Sequence, residues 1–115
     1  MTFDDVRAVA LDLPEVEETT SYGTPSFKVR KRMLCRLRDE GETLVVRVDP
    51  LEREALLAEA GGAYFITPHY EDYPYVLVWL PNANPTEVRE LLVEAWLEEA
   101  PKRLAAAHED ELLGR

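Results

Sequence analysis

A chain of 115 residues with 46% hydrophobic and 31% charged side chains has the composition of one ordinary soluble globular domain, residues 1–115, with enough apolar surface for a single core. Its formal charge of −10 opposes non-specific adhesion to nucleic acid or anionic lipid, and its one cysteine, Cys35, excludes an intrachain disulfide and any cysteine-rich zinc site. No apolar run approaches the roughly 18–20 residues that span a bilayer, and the acidic start MTFDDVRAVALDLPE lacks the basic region of a signal peptide, so no membrane partner and a cytoplasmic location are expected.

Thr2 suits the cap of a first helix, in which Phe3, Val6, Ala10 and Leu13 recur at helical spacing before Pro14 ends it. Three short alternating runs follow, Ser26–Arg30, Met33–Arg38 and Thr43–Val48, separated by Lys31-Arg32 and by Asp39–Glu42. They read as an antiparallel meander. Asp49, Pro50 and Glu52 supply a cap, a first-turn proline and an acidic residue for a second helix that is expected to run to the Gly61-Gly62 stop. Ala63–Thr67 reads as a short strand, Pro68–Pro74 as a loop, and the unbroken apolar run Tyr75–Leu80 as an interior strand. Asn84, Pro85 and Glu87 repeat the cap signature ahead of an apolar stripe of Val88, Leu91, Leu92, Ala95 and Trp96. Pro101 breaks that helix and starts a last one reaching about Leu113.

The order α-β3-α-β2-α implies an α+β domain of two layers, an antiparallel sheet of about five strands with helices packed on one face. Seven of the thirteen Lys and Arg residues fall between Ser26 and Val48. Segments 1–25, 26–48 and 49–115 carry −5, +4 and −9. Strand alternation puts Phe27, Val29, Met33, Cys35, Leu37, Leu44, Val46 and Val48 on the helix side. It leaves Lys28, Arg30, Arg36, Arg38 and Arg47 on the opposite face with Leu34 and Val45. A local basic patch on an acidic body suits an anionic partner. It equally suits a solvated strand face whose cations pair with Asp39, Glu40 and Glu42 and discourage edge-to-edge aggregation.

Ser21–Pro25 is turn chemistry, and Glu18, Ser21, Tyr22 and His69 are candidates for a small polar pocket beside the basic strands. The competing reading of Tyr22 is an amphipathic plug at the rim of the core. Cys35, between two inward apolar residues, reads as a buried small hydrophobe rather than a nucleophile. The loop around His69 lacks the spacing of a zinc or calcium motif, so no metal is expected there. Trp79 and Trp96 read as core residues, whereas Tyr70, Tyr73 and Tyr75 remain candidate ligand contacts. No nucleotide loop, nucleophile elbow or paired-Cys motif occurs, which points away from an enzyme and from any cofactor.

Two runs carry a family resemblance. One is Glu18, Ser21, Tyr22, Gly23, Pro25 and Phe27, and the other is Ala95, Trp96, Pro101 and Lys102. With TLVVRVDP (Thr43–Pro50) and TPHYEDYPYVLVWL (Thr67–Leu80), they make nearly the whole chain resemble the MmcQ/YjbR family of small bacterial proteins. Glu15 stands where that pattern usually has Gly. The resemblance implies a fold similar to that of secretion chaperones. It also implies a DNA-binding role, since members are often labelled so, with the basic hairpin Lys28–Arg38 as a wing; it implies no catalytic residues. The expected function is a non-enzymatic binding module, a monomer or homodimer, that engages nucleic acid through the basic face. The alternative is an adaptor that binds an acidic or extended peptide on the sheet, or self-associates through Leu34 and Val45.

Overall fold

Thr2 closes the first turn with a capping box: its hydroxyl accepts the Asp5 N–H (3.2 Å) and the Asp5 carboxylate accepts the Thr2 N–H (2.9 Å). The computed structural model describes residues 1–59 and 61–115. The helix so opened, α1 (Phe3–Asp12), ends where Leu13 turns extended ahead of Pro14. Four strands follow, β1 (Val16–Ser21), β2 (Thr24–Val29), β3 (Arg32–Leu37) and β4 (Thr43–Arg47), and then α2 (Pro50–Leu57), β5 (Tyr64–Phe65), β6 (Tyr75–Trp79), α3 (Pro85–Glu99) and α4 (Lys102–Leu112). The sheet is antiparallel throughout, in the order β1-β2-β3-β4-β6-β5.

This is the expected α+β fold with six strands instead of about five. The additional strand, β1, is an edge strand of sequence VEETTS whose interior residues are exposed. It pairs through its backbone and carries no apolar alternation for a sequence pattern to register. The second helix stops at Leu57, short of the expected Gly61-Gly62 end; Ala60, within that expected span, lies outside the described residues.

The core lies between one face of the sheet and the helices. Val6, Ala10 and Leu13 from the α1 region and Val88, Leu92 and Trp96 from α3 meet Phe27, Val29, Cys35, Leu44, Val46, Val76 and Val78. Trp96 is fully buried, and its indole N–H donates to the Pro14 carbonyl at 2.9 Å, which ties α3 to the end of α1. Among the described residues no helix is long and apolar enough to cross a membrane.

The alternation expected for the second hairpin fails at one residue. Phe27 pairs with Cys35 and Lys28 with Met33, so Leu34 is the extra residue of a β-bulge. Leu34 and Cys35 are consequently both buried among the core residues. Beyond the bulge the faces exchange: Met33, expected inside, lines the opposite face, and Arg32 turns toward α3. The opposite face is not bare either. Val45 and Leu77 lie under Tyr70, with Phe65 and Tyr75 alongside, so the Leu34/Val45 pair expected on an open surface is buried at both positions.

Both hairpins turn through two residues of positive φ, Tyr22 (55°) with Gly23 (81°), and Arg30 (46°) with Lys31 (70°). That is the requirement of a tight hairpin turn matched to the twist of the strands. For non-glycine side chains, each left-handed position costs roughly 1–2 kcal/mol.

Cys35 retains no exposure, and burial pushes its thiol well above the ordinary cysteine value. A thiol reagent is therefore expected to label the native protein slowly and the denatured protein fast, and rapid native labelling would remove Cys35 from the core. Cys35→Ala is expected to lower unfolding stability in urea by about 1 kcal/mol or somewhat more through lost packing.

Candidate functional site

The segment between β5 and β6 carries no long regular structure, and one side chain holds it. Arg53 of α2 points its guanidinium into the loop, where Nη1 donates to the carbonyls of Tyr70 (3.2 Å), Tyr73 (2.7 Å) and Tyr75 (3.2 Å) and Nη2 to that of Glu71 (2.9 Å). Four backbone acceptors thus share one planar cation, a geometry suited to arginine's rigid fork of donors. Within the loop, Pro68–Tyr70 forms a single 3-10 turn, and the Tyr70 N–H donates to the Thr67 carbonyl at 2.9 Å. The result lays Tyr70 over Val45 and Leu77 on the face of the sheet away from the helices.

A hollow of about 700 Å³ opens between this loop and the first two hairpins. Its cations are Lys28, Lys31 and Arg36, and its rings are Tyr22, His69, Tyr70, Tyr73 and Tyr75. Met33 and Val45 contribute apolar surface and Ser21 a hydroxyl. Among the described residues no carboxylate lines it. Arg36 joins the two walls: its Nη2 donates to the Tyr70 hydroxyl at 2.8 Å, and its guanidinium carbon stands 5.4 Å from the centre of the Tyr22 ring. The aromatic wall is packed edge to face, with His69 against Tyr70 at 4.8 Å and Tyr70 against Tyr75 at 6.3 Å between ring centres. Among the described residues, none of Lys28, Lys31 and Arg36 forms an ion pair.

The five cations expected on one face are distributed differently. Lys28 and Arg36 line the hollow. Arg30 stands in the β2–β3 turn, not on the strand face, and its Nε donates to Glu15 at 2.6 Å; that bond holds the Glu15 carboxyl below its usual range. Arg47 leaves the open face at the end of β4. Its Nε donates at 2.7 Å to Glu99 of α3, a carboxylate with 7% side-chain exposure that also accepts from Arg32 at 2.5 Å. Arg38, just past β3, is half-buried and outside the lining of the hollow.

Of the four residues expected in a polar pocket, Ser21, Tyr22 and His69 do line the hollow. Glu18 does not. It pairs with Phe27 in the ladder and so faces the helices, where it accepts two bonds from Arg7 of α1 (2.8 and 3.1 Å) that hold its carboxyl below the usual carboxylate range. Sequence reasoning missed Lys31, read as a connector, and Met33, read as core. The turn position of the first and the bulge beside the second carry no residue-type signal.

The class these observations define is an α+β domain whose sheet bears a basic, aromatic-walled hollow on the face away from its helices. The YjbR family model matches residues 11–98, and the chain belongs to that family. The Mycobacterium tuberculosis protein Rv2570 and the Mycobacterium bovis protein Mb2600, both described as uncharacterized, are each 36% identical to it over 121 aligned positions, covering 92% of this chain and 94% of theirs. The crystal structure of the Deinococcus radiodurans protein DR2400, with a DUF419 domain, is similar at a TM-score of 0.75 and 28% identity, covering 96% of this chain and 87% of that one.

Arg53→Met keeps the length of the side chain and removes its donors. It is expected to lower unfolding stability by about 2 kcal/mol, the scale of hydrogen bonds to a charged group, and to release Tyr70 from the sheet. Urea unfolding and the near-ultraviolet dichroism of the tyrosines measure the two effects.

Proposed function

We propose that this protein is a non-enzymatic binding module whose hollow takes an anionic, ring-bearing ligand, with nucleic acid as the ligand class. One observation carries the reading. Among the described residues Lys28, Lys31 and Arg36 form no ion pair, and they stand among five aromatic rings in a chain whose charge elsewhere is strongly negative. Fixed cations attract phosphate over the opposition of the acidic body, and exposed ring faces take bases, the two elements of nucleic-acid grooves that bind without strict sequence preference. The DNA-binding label often given to members of the family agrees with this chemistry.

An acidic peptide would satisfy the same cations. It would leave the ring faces without matching partners, and the apolar pair that an extended peptide would use, Leu34 and Val45, is buried. The hollow, not the flat strand face, is the better footprint.

With three phosphate contacts, the association constant for a short oligonucleotide is expected to fall with salt at a log–log slope of about −2 to −3. Replacing Lys28 and Lys31 together by Ala is expected to flatten that slope by about 1.5 and to weaken all sequences alike, because these cations meet the backbone. Titrations between about 50 and 200 mM salt measure it. Absence of binding at the lower concentration, or a slope near zero, would rule out the nucleic-acid reading.

A further inference from the structure

Tyr22 keeps 88% of its surface exposed, so burial does not account for an aromatic residue at this position. Backbone preference does not account for it either. With φ at 55° it fills the first central position of the β1–β2 turn, where Asn, Asp or Gly is favoured and a ring is not.

Among the described residues the four non-glycine residues of positive φ are Glu15, Tyr22, Arg30 and Lys31, and they fall into two pairs. Glu15 and Arg30 bind each other at 2.6 Å. Tyr22 and Lys31 have no such partner, and both line the hollow from opposite ends of β2. Positive-φ residues held neither by burial nor by an ion pair, gathered at one concave site, mark a site of binding.

Resting on the nucleic-acid reading, we infer that Tyr22 is a stacking platform for an unpaired base, so that the hollow takes single-stranded rather than duplex nucleic acid. Arg36 stands over the ring at 5.4 Å, and a base on the free face completes a stack of base, phenol and guanidinium. Lys28 and Lys31 then meet phosphates toward the other end of β2, about 17–20 Å away for a strand of this length. In a duplex the base faces are already covered by their neighbours and are not free to stack on a tyrosine ring. Arg36 is engaged with the Tyr70 hydroxyl and the Tyr22 ring, the two lysines meet phosphates, and among the described residues the lining holds no Asn, Gln, Asp or Glu side chain to read a base edge, so the platform is tolerant of sequence.

Fluorescence anisotropy with labelled oligothymidylate, a duplex of the same length and an abasic strand of the same charge tests the platform at low salt. Wild type is expected to bind the oligothymidylate at least tenfold more tightly than the other two. Tyr22→Phe, which keeps the ring, is expected to bind like wild type. Tyr22→Asn, which suits the turn, is expected to bind about tenfold more weakly, with a thermal midpoint at or above that of wild type. Unchanged affinity in Tyr22→Asn, or equal wild-type affinity for all three probes, overturns the platform and leaves the nucleic-acid reading standing. No wild-type binding to any probe overturns both.

Discussion

The bulge at Leu34 is the constraint on which both faces of the sheet depend. One unpaired residue in β3 lets Leu34 and Cys35 enter the core side by side, and from that point toward the β2–β3 turn every side chain changes face. Met33 goes to the hollow, where an apolar surface beside Lys28 suits the rings of a ligand. Arg32 goes to the helices, where Glu99 receives it together with Arg47. A regular strand would have put Met33 in the core and left Leu34 facing solvent beside the cations.

The bulge also bears on how charge is sorted. Of the seven cations between Ser26 and Val48, Arg30, Arg32 and Arg47 meet Glu15 or Glu99, and among the described residues the three that line the hollow form no ion pair. Exposed pairs such as Arg30–Glu15 contribute little to stability, so their main consequence is spatial. They neutralise charge beside the hollow and leave its positive field to Lys28, Lys31 and Arg36 along the lining. Glu99 is different, because its carboxylate is withdrawn from water and needs both guanidinium partners to offset its desolvation.

The far wall of the hollow rests on Arg53. A single guanidinium donates to four carbonyls of this segment, adding to the backbone N–H bonds that those of Tyr70 and Tyr73 already accept. Tyr70 is thereby held over Val45 and Leu77, and its hydroxyl receives Arg36, which in turn stands over Tyr22. A chain of contacts runs from α2 through the loop to the first hairpin turn, so the rings and cations of the site keep a common geometry although they come from four separate segments.

Helix caps, apolar stripes and the alternation of β2 and β4 are local properties, and the residues alone determined them: Thr2, Asp49 and Asn84 cap the helices, and Phe27, Val29, Leu44 and Val46 face the core. The same holds for the concentration of cations between Ser26 and Val48, whereas the hollow that gathers Lys28, Arg36, Ser21, Tyr22 and His69 depends on the loop that Arg53 holds. What required the tertiary structure was each choice that depends on a distant partner. β1 exists because β2 offers it a ladder, Glu18 faces Arg7 because of that ladder's register, and Arg47 turns to Glu99 because α3 brings a carboxylate within reach. The bulge at Leu34 belongs with these, since a strand of apolar and basic residues can pair regularly or with one residue looped out. Only the packing of Leu34 and Cys35 against the helices decides between them.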